Sequence, residues 1–378
     1  MQSANRGKSA NILRTIATLF VFLLHGRSYV PKINELPHAL SWITNFPAWA
    51  GVWIFLFMSG YGVGCGFFQN RYPLTDENGK KKAKLFIKFY IGRFIKIAPL
   101  YYLYCLIFEI FSNNAFYYNN PKILLKMLTF TFNGNDGVSG LGHLWYVSIA
   151  MQLYLFMPFI YLIIDKLKDK RTILIVVYCL IIIYGVIIRC ILINKGYDWY
   201  SDVYTNCLVN LDLIALGMLV AEVKSCYKIP STVAIKKIVW LMLIALVMYN
   251  CYIYYIGTSD YLNLYRCILP SAYAVLCGLI MLLSGHEKKR YKNSWWIYFV
   301  DVLAKYSYVF YLLHISVFHY LENTLLKNSW FLGINAVMQY VIFFLVSMLL
   351  IMILAVPLNC IEEKILKLYR NIKSEKVN

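Results

Sequence analysis

Asn11-Ile-Leu-Arg-Thr-Ile-Ala-Thr-Leu-Phe-Val-Phe-Leu-Leu-His25 is a mainly apolar run whose two ionisable side chains are Arg14 and His25. They stand eleven residues apart, and at about 100° per residue a helix returns them to within about 20° of one face. A charge near the centre of a bilayer costs about 3 kcal/mol on insertion scales, so two such groups on one stripe point to function in a bundle interior. A packed histidine hydrogen-bonded to a neighbouring helix is the competing reading of His25.

Working outward from this run, the whole chain has the same character. Of its 378 residues 60% are hydrophobic and 15% charged, and apolar runs of about 20 residues recur, the length an α-helix needs to cross a bilayer. The expected fold is an all-α, polytopic membrane bundle of about ten helices, over 10–30, 44–68, 94–112, 143–164, 172–193, 206–223, 238–256, 264–284, 302–322 and 334–360. Residues 1–378 read as a single integral-membrane domain with no soluble module appended. The first run lacks a small-residue cleavage site and reads as a retained span, not a removed signal peptide. Ten cysteines lie mostly in apolar runs, without Cys-x-x-Cys spacing, and carry no expected chemistry. Neither a metal nor a bound cofactor is expected.

The net charge of +19 has a topological reading. With an even number of spans both termini share a side, and cytoplasmic loops carry the Lys and Arg excess. One side holds 27 of the 37 cations, including Lys80, Lys81, Lys82, Lys84, Lys88, Arg93 and Lys96; the other holds six, namely Arg27, Lys32, Lys122, Lys126, Lys195 and Lys327. Both termini are therefore expected in the cytoplasm. No basic face is interleaved with exposed aromatics, which argues against nucleic acid as a partner.

Several segments could carry chemistry. Arg93 and Lys96 lie three apart in Lys88-Phe-Tyr-Ile-Gly-Arg93-Phe-Ile-Lys96-Ile-Ala-Pro99, one helical face that could grip the phosphates of a cytosolic cofactor or anionic lipid head groups. Ser307, Tyr311 and His314 follow i, i+4, i+7 spacing and form one stripe able to position an acceptor or to knit helices together. The glycines at 60, 62, 64 and 66 read as close helix packing and not as a phosphate loop. Phe132 to Gly140 reads as a turn-rich loop, a plain connector or one that closes over an acceptor. Glu109, Arg189, Asp212, Arg266, Lys305 and Glu322 fall in or near spans, where pairing is the cheapest way to bury a charge.

In this order the motifs resemble the integral-membrane acyltransferase-3 family. Arg14 and His25 match its first-span arginine and histidine, and Phe55-Leu-Phe-Met-Ser59-Gly-Tyr61 its apolar run ending in Ser-Gly-Tyr. Arg93 to Pro99 is similar to its basic motif, with Lys96 standing where a second arginine is usual. His143-Leu-Trp-Tyr-Val-Ser-Ile-Ala150-Met151-Gln152-Leu-Tyr154 resembles its fourth-span motif, although Ala150 and Met151 replace the glutamates found in many members. Asp212 to Gly217 and Ser307 to His314 complete the match.

The resemblance implies a membrane O-acyltransferase, an O-acetyltransferase above all, moving an acyl group from cytosolic acetyl-CoA or another acyl-CoA to a surface or lipid-linked polysaccharide. It implies His25 and Arg14 as catalytic residues, His25 as the base, Arg93 and Lys96 as the acyl-CoA site, and His314, Tyr311, Ser307, Gln152, Tyr154 and Ser59 as acceptor or supporting groups. Membrane lipid and a glycan-assembly protein are the implied partners, and the bacterial cytoplasmic membrane the implied location. A transporter or flippase for a glycan or lipid-linked precursor is the alternative, with the buried charges as its path.

Overall fold

The computed structural model describes residues 7–37, 49–68, 79–111, 116–133, 136, 140–167, 169–227, 229–230, 232–256, 259–284 and 294–375. The expected span start at 44–48, much of the turn-rich segment 132–140, and Arg6, Arg71, Lys168, Lys228, Lys288, Lys289, Arg290, Lys292 and Lys376 of the charge bias lie outside the described residues.

Ten main helices follow one another: α1 Lys8–Gly26, α2 Ala50–Phe68, α3 Gly79–Phe111, α4 Trp145–Leu167, α5 Arg171–Asn194, α6 Leu211–Cys226, α7 Val233–Ile256, α8 Ser259–Leu283, α9 Trp295–Leu325 and α10 Ala336–Glu375. Among the described residues nine of them are long and apolar enough to cross a membrane. The exception is α6, where the sixth of the ten expected spans was placed. Its 16 residues rise about 24 Å, short of the roughly 30 Å of hydrocarbon. The protein itself encloses α6, since every residue from Asp212 to Glu222 is buried.

Small residues bring α2 and α6 together. A Cβ on Gly60 would land on the Ile214 carbonyl, and one on Gly217 would land on the Phe57 carbonyl. On Gly64 it would come within 2.8 Å of Ala221 Cβ and 2.9 Å of Met218 Cα. The glycine run thus serves backbone approach, as in other membrane helix pairs with small residues four apart. By contrast α5 and α7 present exposed apolar surface along their length, including Ile175, Leu180, Ile187, Leu241 and Ile244, which suits contact with lipid.

Several charged groups in or near the spans are partnered, whether buried or exposed. Arg189 of α5 and Asp212 of α6 are both fully buried and form an ion pair at 2.8 Å, with the Ser271 hydroxyl of α8 donating to the same carboxylate at 2.7 Å. Lys305 meets Glu363 at 3.1 Å, and Glu109 accepts the Tyr117 amide at 2.9 Å. Arg266 lies 5.3 Å from the Trp199 ring centroid, a cation–π distance. On the other side of the bundle, Phe22 packs at 5.2 Å against Phe310, Phe318 and Phe344, which ties α1 to α9 and α10.

Candidate functional site

Three histidines from distant parts of the chain meet at one level of this bundle. The His25 ring, at the end of α1, lies 5.2 Å from that of His314 on α9, and His314 lies 5.0 Å from His143. His314 belongs to the buried face of α9, where Val300, Leu303, Ala304, Tyr311, Phe318 and Leu321 recur every three to four residues. A single 3-10 turn, Gly142–Leu144, holds His143 just ahead of α4. His25 is half-buried, whereas His143 is 4% and His314 0% exposed.

Hydrogen bonds fix the tautomers of the two buried rings. His143 Nε2 lies 3.1 Å from the Leu312 carbonyl, and His314 Nδ1 lies 2.6 Å from the Tyr311 carbonyl. A carbonyl only accepts, so each of these nitrogens must carry the proton. The neutral rings then expose lone pairs at His143 Nδ1 and His314 Nε2, both buried and without a partner among the described residues. An unmet buried acceptor costs about 1–3 kcal/mol. The Tyr311 hydroxyl donates to the His143 carbonyl, so α9 grips the His143 residue by its backbone and by its ring.

The basic motif occupies a second level. The Arg93 guanidinium sits 5.9 Å from the Tyr154 ring centroid and 5.6 Å from that of Phe89, half-buried with Lys96 one turn further on. Eleven residues along α3 from Arg93, Tyr104 meets the His143 ring edge-on at 5.7 Å; eleven residues separate His143 from Tyr154 as well. At 1.5 Å per residue the two levels are about 16 Å apart, the same rise that separates Arg14 from His25. Between them lies a polar bridge. The Tyr146 ring packs 5.2 Å from that of Tyr311, and its hydroxyl is within hydrogen-bonding reach of Ser59 and within electrostatic range of Arg14. A Cβ on Gly62 would stand 3.6 Å from the Arg14 guanidinium, so the missing side chain leaves that group room.

Of the residues singled out in the sequence, His25, His314, Tyr311 and Ser59 therefore gather around the histidine level or the bridge, and Arg93, Lys96 and Tyr154 around the basic level, with Arg14 reaching between. Two do not converge. Ser307 spends its hydroxyl on its own helix, donating to the Ala304 carbonyl at 3.1 Å. Gln152 donates to the Phe130 carbonyl at 2.8 Å and so anchors a connector whose backbone turns through a positive φ of 55° at Phe130. Sequence reasoning did not single out His143, Tyr146 or Tyr104 for the site. The available signal was spacing: His143 begins the fourth apolar run, eleven residues before Tyr154, which mirrors Arg14 and His25. Beside His314, Thr18, Phe22, Phe55, Phe310 and Tyr311 line a tight seam between the helices. Among the described residues no group of three His, Cys, Asp or Glu side chains is arranged to hold a metal ion.

No curated protein and no solved structure matches this chain. A family model does: the acyltransferase domain matches residues 8–356, from the first residue of α1 into α10, and so takes in the three histidines, the Arg14 and Ser59 bridge and the basic motif together. The chain is a multi-pass membrane protein of the acyltransferase-3 family.

Proposed function

We propose that this protein is an acyl-CoA-dependent O-acyltransferase, with acetyl-CoA as donor and a hydroxyl of a surface or lipid-linked polysaccharide as acceptor. The observation that carries the reading is the pairing of two levels about 16 Å apart in one bundle, a cationic one at Arg93 and Lys96 and an imidazole one at His25, His314 and His143. The Lys and Arg bias supports placing both termini and the cationic level on the cytoplasmic side of a bacterial cytoplasmic membrane. Arg93 and Lys96 then hold the donor's phosphates, the arginine as a fork and the lysine as a point charge. Arg14 supports the donor's thioester end along the bridge.

At the histidine level His25 takes the proton from the acceptor hydroxyl as its oxygen attacks the thioester carbonyl. The carbon–sulfur bond breaks, the coenzyme A thiolate leaves, and the proton returns to it from the imidazolium, so His25 ends neutral. Acyl donor, lipid and glycan suffice for this chemistry, and a glycan-assembly protein would be the delivery partner. Liposomes containing the purified protein, radiolabelled acetyl-CoA inside and surface polysaccharide outside should yield labelled polysaccharide. Unlabelled polysaccharide that crosses the bilayer with no acylation would replace this reading by the transporter.

A further inference from the structure

Two buried lone pairs beside the reacting level are left unused by the mechanism above. They belong to His143 Nδ1 and His314 Nε2, whose other ring nitrogens are committed to the Leu312 and Tyr311 carbonyls. We infer that His143 and His314 form a paired hydroxyl-binding site, each presenting a bare imidazole nitrogen to one hydroxyl of a polyhydroxylated acceptor. The inference rests on the acyltransferase reading and deepens it, because it names the side chains that recognise the acceptor and the donor groups that the acceptor must supply.

The geometry favours this occupant over others. Both nitrogens can only accept, so the group that satisfies them must bring hydrogen-bond donors. An acyl chain and its thioester bring none, and the phosphates of the donor bring only acceptors at neutral pH; the pantetheine arm does bring amide N–H and hydroxyl donors, and binding of polysaccharide without acetyl-CoA separates the two occupants. Hydroxyls do bring donors, and two acceptors on rings 5.0 Å apart ask for two of them, as a sugar offers. His314 also faces His25 at 5.2 Å, so the hydroxyl at His314 is the one placed for deprotonation. The hydroxyl at His143 fixes the orientation of the ring.

Because the two rings use opposite nitrogens, paired substitutions separate binding from scaffolding. At position 143 glutamine preserves the donor to Leu312 and loses the acceptor, whereas asparagine preserves an acceptor at the δ position and loses the link. At position 314 the logic reverses: glutamine keeps an acceptor at the ε position, and asparagine keeps only the bond to Tyr311.

The test measures label transfer from acetyl-CoA to extracted surface polysaccharide in proteoliposomes. His143→Gln and His314→Asn should fall at least tenfold further in kcat/KM for polysaccharide than His143→Asn and His314→Gln, with an unchanged KM for acetyl-CoA. The inverse pattern would mean that the carbonyl links carry the role and would overturn the inference, as would four variants alike. In 15N-histidine-labelled wild type, polysaccharide without acetyl-CoA should move the two bare-nitrogen resonances. Resonances that stay put in a protein that acylates overturn the hydroxyl pair alone; a wild type that forms no labelled polysaccharide overturns the acyltransferase reading on which it rests.

Discussion

Replacing Arg189 by methionine should destabilise the bundle by about 3–5 kcal/mol, the cost of stripping one partner from a buried ion pair. The guanidinium donates to the Cys267 carbonyl at 3.0 Å, the Val209 carbonyl at 3.1 Å, Asp212 at 3.2 and 2.8 Å and the Ser271 hydroxyl at 2.5 Å, with Arg189 and Asp212 both at 0% exposure. Without it the Asp212 carboxylate keeps the Ser271 hydroxyl at 2.7 Å but has no cation in a site closed to water. At about 2–4 °C per kcal/mol the detergent-solubilised variant should unfold about 6–20 °C below wild type. The double variant Arg189→Met with Asp212→Leu removes both charges and keeps the branched shape at 212, so it should recover most of the loss. Thermal unfolding of the four proteins closes the cycle. A single variant within 1 kcal/mol of wild type, or a double variant no better than the single, would refute the claim that an uncompensated charge is what α5, α6 and α8 are built to avoid.

His25→Ala should lower polysaccharide acylation by at least about 100-fold, the lower end of what a positioned general base contributes, with insertion and accumulation unchanged; wild-type rates would remove His25 from the chemistry. Arg93→Ala should raise the KM for acetyl-CoA with little change in KM for polysaccharide, and an unchanged donor dependence would reassign the cationic level to lipid head groups. Gly217→Val puts a branched side chain where even a Cβ meets the Phe57 carbonyl, so the purified protein should unfold well below wild type. Gly92→Ala, at a position with open space around its would-be Cβ, is the control and should leave the unfolding temperature unchanged or slightly raised.

Hydrophobic run length made the bundle legible in the sequence, because a bilayer demands about 20 apolar residues whatever the function. It says less about α6. A helix enclosed by protein is as apolar as one in lipid, and only length separates them, here 16 residues. Arg14 and His25 stood out because a charge in an apolar run is conspicuous, and glycine spacing disclosed the α2 and α6 contact because nothing else needs that pattern. His143 was harder to see. It precedes its helix, where a polar residue is ordinary, and its importance arises from tertiary contacts with Leu312, Tyr311 and Tyr104 that no local pattern contains. Ser307 shows what periodicity leaves out: it lies on the stripe with Tyr311 and His314, and the proton of its hydroxyl goes to its own helix backbone, a bond no spacing discloses.

Leaving two acceptors unmet is costly, at about 1–3 kcal/mol each, and a bundle could avoid it with apolar side chains. What the cost brings is discrimination. A site built to hydrogen-bond a hydroxyl can reject an analogue without one by about 10⁴–10⁵-fold, whereas an apolar pocket tells a methylene from its absence by little more than about 10²-fold. An O-acyltransferase must keep its donor's acyl chain, which is apolar and fits any greasy gap, from occupying the acceptor's place. Bare imidazole nitrogens at His143 and His314 do this, since an acyl chain seated against them would leave both desolvated and unpaired while a sugar would satisfy both. The clamp from α9 onto His143 keeps the rings from turning to relieve themselves, and the same two bonds that set the tautomers thus maintain the demand for an acceptor with hydroxyls to give.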